Sequence, residues 1–102
     1  MNKYKVFRTL STIDRDVTKH ELVAVEYGKD IYDVTDRLIK AVNDDAGSLE
    51  KYWKGFTAST DAPEPADGER YDYCMTAVLE PDYGEKNDLL EYGVTEEKGA
   101  EE

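Results

Sequence analysis

The sequence predicts an α+β fold: a small antiparallel sheet in the order β-β-α-short α-β-β, with one main helix packed on one face. Three observations predict it. Apolar alternation with a period of two recurs near both ends of the chain, and one helical stripe lies between them. The connections are also too short for the crossovers that parallel strands need. At 102 residues the chain makes one domain with a single modest core.

Lys3 to Ser11, KYKVFRTLS, forms the first expected strand, with Tyr4, Val6 and Leu10 on one face. Lys3, Lys5, Phe7 and Thr9 take the other face. IDRD at 13–16 is turn-like because Asp bonds its own backbone. Val17 to Tyr27, centred on LVAVEY, gives a second strand rich in β-branched residues, and the two make an antiparallel hairpin.

Gly28 ends that strand, and Asp30 is placed to cap a helix by accepting from amides that lack an intrahelical partner. Ile31, Val34, Leu38, Ala41 and Val42 form one apolar stripe. Asp33–Arg37 and Asp36–Lys40 are acid-to-base pairs four residues apart, in the favourable orientation. NDDAG at 43–47 is expected to end the helix. A short helix or turn follows from Ser48, placing Trp53 and Phe56 on the core. TASTDAPEPADGE, 57–69, has two prolines and no large apolar side chain, and is expected to be a flexible loop.

Tyr71, Tyr73, Met75, Ala77 and Leu79 alternate with Asp72, Cys74, Thr76, Val78 and Glu80, the pattern of a half-buried strand. After the turn formers of PDYGEKN, the stretch DLLEYGVT alternates again, with Leu90, Tyr92 and Val94 together. The two make a second hairpin, since a disordered acidic segment would lack this apolar density. The domain therefore spans 1–95, and 96–102 is expected to be a disordered acidic tail.

Charge is distributed unevenly. Residues 1–60 carry ten bases and ten acids, whereas 61–102 carry three bases and fourteen acids, so the net −11 arises entirely in the last 42 residues. Such an acidic half disfavours direct contact with phosphate backbones. The chain has one cysteine and one histidine, too few for a structural zinc site and without an internal disulfide, which fits a reducing cytoplasm. The N-terminus has no apolar leader segment, and no stretch approaches the roughly 20 apolar residues of a membrane span.

No chemical signature emerges. His20 has no orienting partner or nucleophile implied by its neighbours, and Cys74 sits mid-strand as a small packing residue. Phosphate-cradling glycine motifs are missing, and the acids do not follow calcium-loop spacing. The expectation is a non-enzyme with no cofactor and no metal.

What remains is recognition. Asp72, Glu80, Asp82, Tyr83, Glu85, Asp88, Glu91 and Tyr92 are the candidate partner-binding residues, because carboxylates pair with arginine and tyrosine is enriched at interfaces. They point to a basic, nucleic-acid-binding surface of another protein, such as a nuclease, met by mimicry of a phosphate backbone. In size, acidity and lack of chemistry the chain is similar to small phage and mobile-element inhibitors of the anti-CRISPR or anti-restriction type. That likeness is one of composition and rests on no motif. The alternative is an adaptor or homo-oligomeric module, a homodimer for instance, whose acidity only confers solubility.

Overall fold

The computed structural model describes residues 1–11, 20–48, 57–60, 62–66, 70–80 and 88–99. In chain order the elements are β1 (Asn2–Ser11), β2 (Glu21–Gly28), α1 (Ile31–Gly47), β3 (Thr57–Thr60), β4 (Glu64–Pro65), β5 (Tyr73–Glu80) and β6 (Asp88–Glu97). All pairings are antiparallel, and the sheet order is β2-β1-β6-β5-β3, with β4 also on β5. One helix lies on one face of this sheet, the α+β arrangement that the alternation predicts.

Both expected hairpins form. β1 pairs with β2 from Asn2↔Gly28 to Arg8↔Glu21, and β5 pairs with β6 from Tyr73↔Val94 to Leu79↔Asp88. The hairpins join through β1 and β6, in register from Lys3↔Glu97 to Ser11↔Leu90, so the two ends of the chain form the middle of the sheet. Two bulges flank the same stretch of β1. Val23 is the extra residue opposite Val6/Phe7, and Thr9 is the extra residue opposite Tyr92/Glu91. Bulges sharpen local twist. The helix backbone neighbours β2 and β3, strands at the two edges of the sheet, more than it neighbours the strands between them.

The core follows from strand parity. Tyr4 and Val6 of β1, Met75 and Ala77 of β5, and Leu90, Tyr92 and Val94 of β6 face Val34, Leu38, Val42 and Ala46 of α1. Asp30 caps the helix as its sequence position implies: its Oδ1 accepts from the Asp33 amide at 2.9 Å, and Asp33 Oδ2 accepts in return from the Lys29 amide at 2.9 Å. Gly28 passes so close to the helix that a Cβ there would lie 2.4 Å from Val34 Cγ1.

Several expectations need correction. The helix runs through NDDAG to Gly47, because Ala46 continues the buried stripe of Leu38 and Val42. Lys40 pairs with Asp44 at 2.6 Å rather than with Asp36, while Arg37 does stand 3.9 Å from Asp33. Within the expected loop at 57–69, Thr57–Thr60 and Glu64–Pro65 are strands along one edge of β5. Ladder bonds use backbone only, so TAST needs no apolar pattern to pair. Residues 96–99 of the expected tail belong to the described structure, and 100–102 lie outside it. Glu96 and Glu97 belong to β6, paired with Tyr4 and Lys3, and the Gly99 amide donates to Asn2 Oδ1 at 3.1 Å. The short helix expected after Ser48, with Trp53 and Phe56, lies outside the described residues. Ser48 itself closes α1, its amide donating to the Asp44 and Asp45 carbonyls at 3.0 and 3.1 Å.

Candidate functional site

Among the described residues, the helix covers one face of the sheet and the other is open. Register places Lys3, Lys5 and Phe7 of β1, Leu22, Val25 and Tyr27 of β2, Glu91, Gly93, Thr95 and Glu97 of β6, and Cys74 and Thr76 of β5 on the open face. Glu64 of β4, opposite Cys74, joins them.

Gly93 shapes the middle of this face. Its missing side chain lets the Tyr71 ring lie directly on the β6 backbone, where a Cβ would meet the ring carbons at 2.4–2.5 Å. Tyr71 adjoins a stacked Phe7–His20 pair, whose ring centroids are 4.2 Å apart, and Arg70 reaches within 3.4 Å of His20 Nδ1. These contacts hold the approach to β5 flat against the sheet. Tyr71, expected to share the face of Tyr73 and Met75, has therefore crossed to the opposite face. A recess of about 260 Å³ remains between Tyr71, Thr9, Cys74 and Glu91.

The candidate partner-binding residues divide three ways. Asp72 and Glu91 are exposed, Asp72 just before β5 and Glu91 within the β5–β6 ladder opposite Thr76. Asp72 also braces the backbone of β6. Its Oδ2 accepts from the Glu96 amide at 2.7 Å, while its own amide donates to the Val94 carbonyl at 2.9 Å. The β6 amide beyond the end of β5 would otherwise lack a protein acceptor. Glu80 and Asp88 have their backbones at the far ends of β5 and β6. Asp82, Tyr83 and Glu85 lie outside the described residues.

Tyr92 is the correction. It is 1% exposed, facing α1, and its hydroxyl donates to Asp45 Oδ2 at 2.6 Å, so it cannot present a ring to a partner. Burial, reinforced by the Asp45 carboxylate, pushes its phenol well above the ordinary tyrosine range. Arg8 of β1 is likewise turned inward, 7% exposed. Its Nη1 donates to both Asp45 oxygens at 2.9 Å and its Nη2 to Glu21 at 2.5 Å. The parity of Tyr4, Val6 and Arg8 was the available signal.

Acid is spread more widely than a single row on the second hairpin. On the open face of β6, Glu91 and Glu97 are separated by Gly93 and Thr95, a gap of roughly 20 Å at strand rise. The tighter grouping spans adjacent strands: Glu64 on β4, Asp72 just before β5, and Glu91 on β6, all exposed. Glu64 falls outside the candidates because its segment reads, in sequence, as a loop. Among the described residues no cluster of histidine, cysteine or carboxylate side chains is arranged to hold a metal. No helix among them is long and apolar enough to cross a membrane.

The chain matches no protein-family model, no curated protein and no solved structure. The class is accordingly the one the fold of the described residues defines, an α+β arrangement with a helix packed on one face of an antiparallel sheet.

Proposed function

We propose that this is a non-enzymatic binding protein that docks, through exposed carboxylates, on a basic, nucleic-acid-binding surface of another protein. The observation that carries the reading is the placement of Glu64 and Glu91 on the open face, on either side of β5, with Asp72 exposed just before β5. Neighbouring strands stand about 4.8 Å apart and one face of a strand recurs about every 7 Å, so the register sets Glu64 and Glu91 roughly 12 Å apart on a fixed backbone. Fixed anions can pair with arginine and lysine that ordinarily hold phosphate, at lower entropic cost than a flexible acidic tail. The setting is cytoplasmic, and the mode of action is that of a phage or mobile-element inhibitor occupying a nuclease's nucleic-acid channel.

Capture of purified nucleases on the immobilised chain tests this. The expected complex weakens steeply between about 50 and 300 mM salt, where screening shortens the reach of exposed charge, and duplex DNA displaces it. Partners that respond to neither salt nor DNA would refute phosphate mimicry.

A second reading, a homo-oligomeric or adaptor module, is favoured by the β2 edge. β2 is eight residues long, contains no proline and carries Leu22 and Val25, 53% and 37% exposed. The opposite edge is broken into β3 and β4 and bears Pro65. A long unblocked edge is a template for pairing. Sedimentation at several concentrations separates the readings: a tight dimer lost in Val25→Lys supports the module, and a monomer throughout supports the docking protein.

A further inference from the structure

Beside the start of α1, on the helix side of the sheet, a cleft of about 490 Å³ opens toward solvent. Its walls are largely apolar: Ile31 and Tyr32 from α1, Pro63 and Pro65 from the edge segment, and Tyr73 from β5. Tyr32 is 85% exposed, an unusual position for a large ring that supports nothing beneath it. Asp30 and Glu96 border the same space.

Each of these acids has one oxygen committed. Asp30 Oδ1 accepts from the Asp33 amide and Glu96 Oε2 accepts from the Tyr4 hydroxyl at 2.6 Å. The second oxygen of each has no partner among the described residues. Asp30, Tyr32, Tyr73 and Glu96 line the same space, and the Tyr73 phenol is raised first by burial and then by the charges around it, Glu96 foremost. The helix N-terminus would favour an anion here, but Asp30 and Asp33 already occupy its amide and dipole. An anion would face Asp30 and Glu96, and a neutral apolar ligand would strip water from these two carboxylates without replacing it. A cation satisfies both. Of the two common protein cations, guanidinium is planar, forks toward carboxylates and stacks on aromatic rings, whereas ammonium is a compact, strongly hydrated point charge.

We infer that this cleft receives an arginine side chain of the partner protein, its guanidinium between Asp30 and Glu96 and flat against Tyr32 or Tyr73. The inference rests on the docking reading and adds to it a contact on the helix side of the sheet, opposite the open face. Lys98, also on the rim, limits how many charges enter and suits a single arginine rather than a basic stretch.

The test is titration of the full ¹⁵N-labelled chain with an acetylated, amidated Gly-Arg-Gly peptide at low salt, beside its lysine and citrulline counterparts. Saturable amide shifts are expected at Asp30–Thr35, Tyr73 and Glu96 with the arginine peptide, weaker ones with lysine and none with citrulline. Tyr32→Ala, which removes an exposed ring, is expected to lower affinity about two- to five-fold, and Glu96→Gln to lower it further. Equal responses to arginine and citrulline would overturn the inference. So would shifts spread evenly over Asp36, Asp44 and Glu91. A cleft that ignores the peptide while the chain still captures nucleases in a salt-sensitive way refutes the cleft alone. A cleft that fills while no basic protein is captured supports it and removes the docking reading.

Discussion

The Tyr92 hydroxyl on β6 donates to the Asp45 carboxylate near the end of α1 across 2.6 Å. The same carboxylate accepts both bonds of Arg8 Nη1 from β1, and Arg8 continues to Glu21 on β2. Asp45 thus ties the helix to three strands. An acid at the negative end of a helix dipole is unfavourable by itself, and the guanidinium beside it offsets that.

Asp45→Ala is expected to destabilise the fold by about 3–5 kcal/mol, because it leaves a guanidinium that is 9% exposed with only Glu21. Tyr92→Phe removes one bond to a charged acceptor and should cost roughly 1.5–3 kcal/mol. Urea unfolding of both single variants and the double variant checks this. The effects are expected to be strongly non-additive, since both substitutions break the same bond.

Gly93→Ala places a methyl group 2.4 Å from the Tyr71 ring. Either the ring swings off the sheet or β6 shifts, at a cost of about 1–3 kcal/mol. The Gly93→Ala, Tyr71→Ala pair should recover most of the loss relative to Gly93→Ala alone, because the clash has gone. Loss of ring-current shifts at Phe7 and His20 in the single variant would locate the damage.

How far the sequence revealed this molecule depends on whether a residue's neighbours lie nearby in the chain. The stripe Ile31, Val34, Leu38, Val42 and the alternation of Met75 and Ala77 with Cys74 and Thr76 are local, and both were legible. β3 was not, since Thr57–Thr60 pairs through backbone alone and carries no apolar period. Arg8 shares the parity of Tyr4 and Val6, but its charge argued for the surface until Asp45, 37 residues away, supplied the partner. The cleft joins Asp30 to Glu96 through the pairing of the chain's two ends, which no local pattern encodes. Asp72 and Glu91 were legible as exposed acids, whereas Glu64 was hidden in a loop-like composition.

Alkaline pH should reveal the buried phenols. Tyr4 is fully buried, and its phenol is pushed up to about 12, first by burial and then by its bond to Glu96. An unfolded chain releases that proton near pH 10. Between these values the folded state binds more protons, so stability falls as pH rises. The contribution is complete below pH 10 and is lost on approaching pH 12, with Tyr92 acting in the same direction. The urea midpoint is expected to drop across this window, and Tyr4→Phe to flatten part of the drop. A midpoint that stays level from about pH 9 to 12 would contradict the assignment.

The docking proposal needs variants that change charge without changing the fold, and the three grouped acids differ in this respect. Asp72 holds the Glu96 amide with its carboxylate. Asp72→Asn therefore weakens a charge-assisted bond at the end of β6 and should speed amide exchange at Glu96, whatever happens to binding. Glu64 and Glu91 have no side-chain partner among the described residues, since only the Glu91 carbonyl is engaged, by Thr9 Oγ1 at 2.9 Å. Glu64→Gln and Glu91→Gln should accordingly leave the unfolding free energy, measured in urea, within about 0.5 kcal/mol of the parent. If these carboxylates meet phosphate-binding arginines, each substitution should slow association with a captured nuclease and flatten its salt dependence. Association rates measured at several salt concentrations decide the matter. Glutamine variants that bind at the parental rate and with the parental salt slope would assign these two acids to solubility and leave the open face without a docking role.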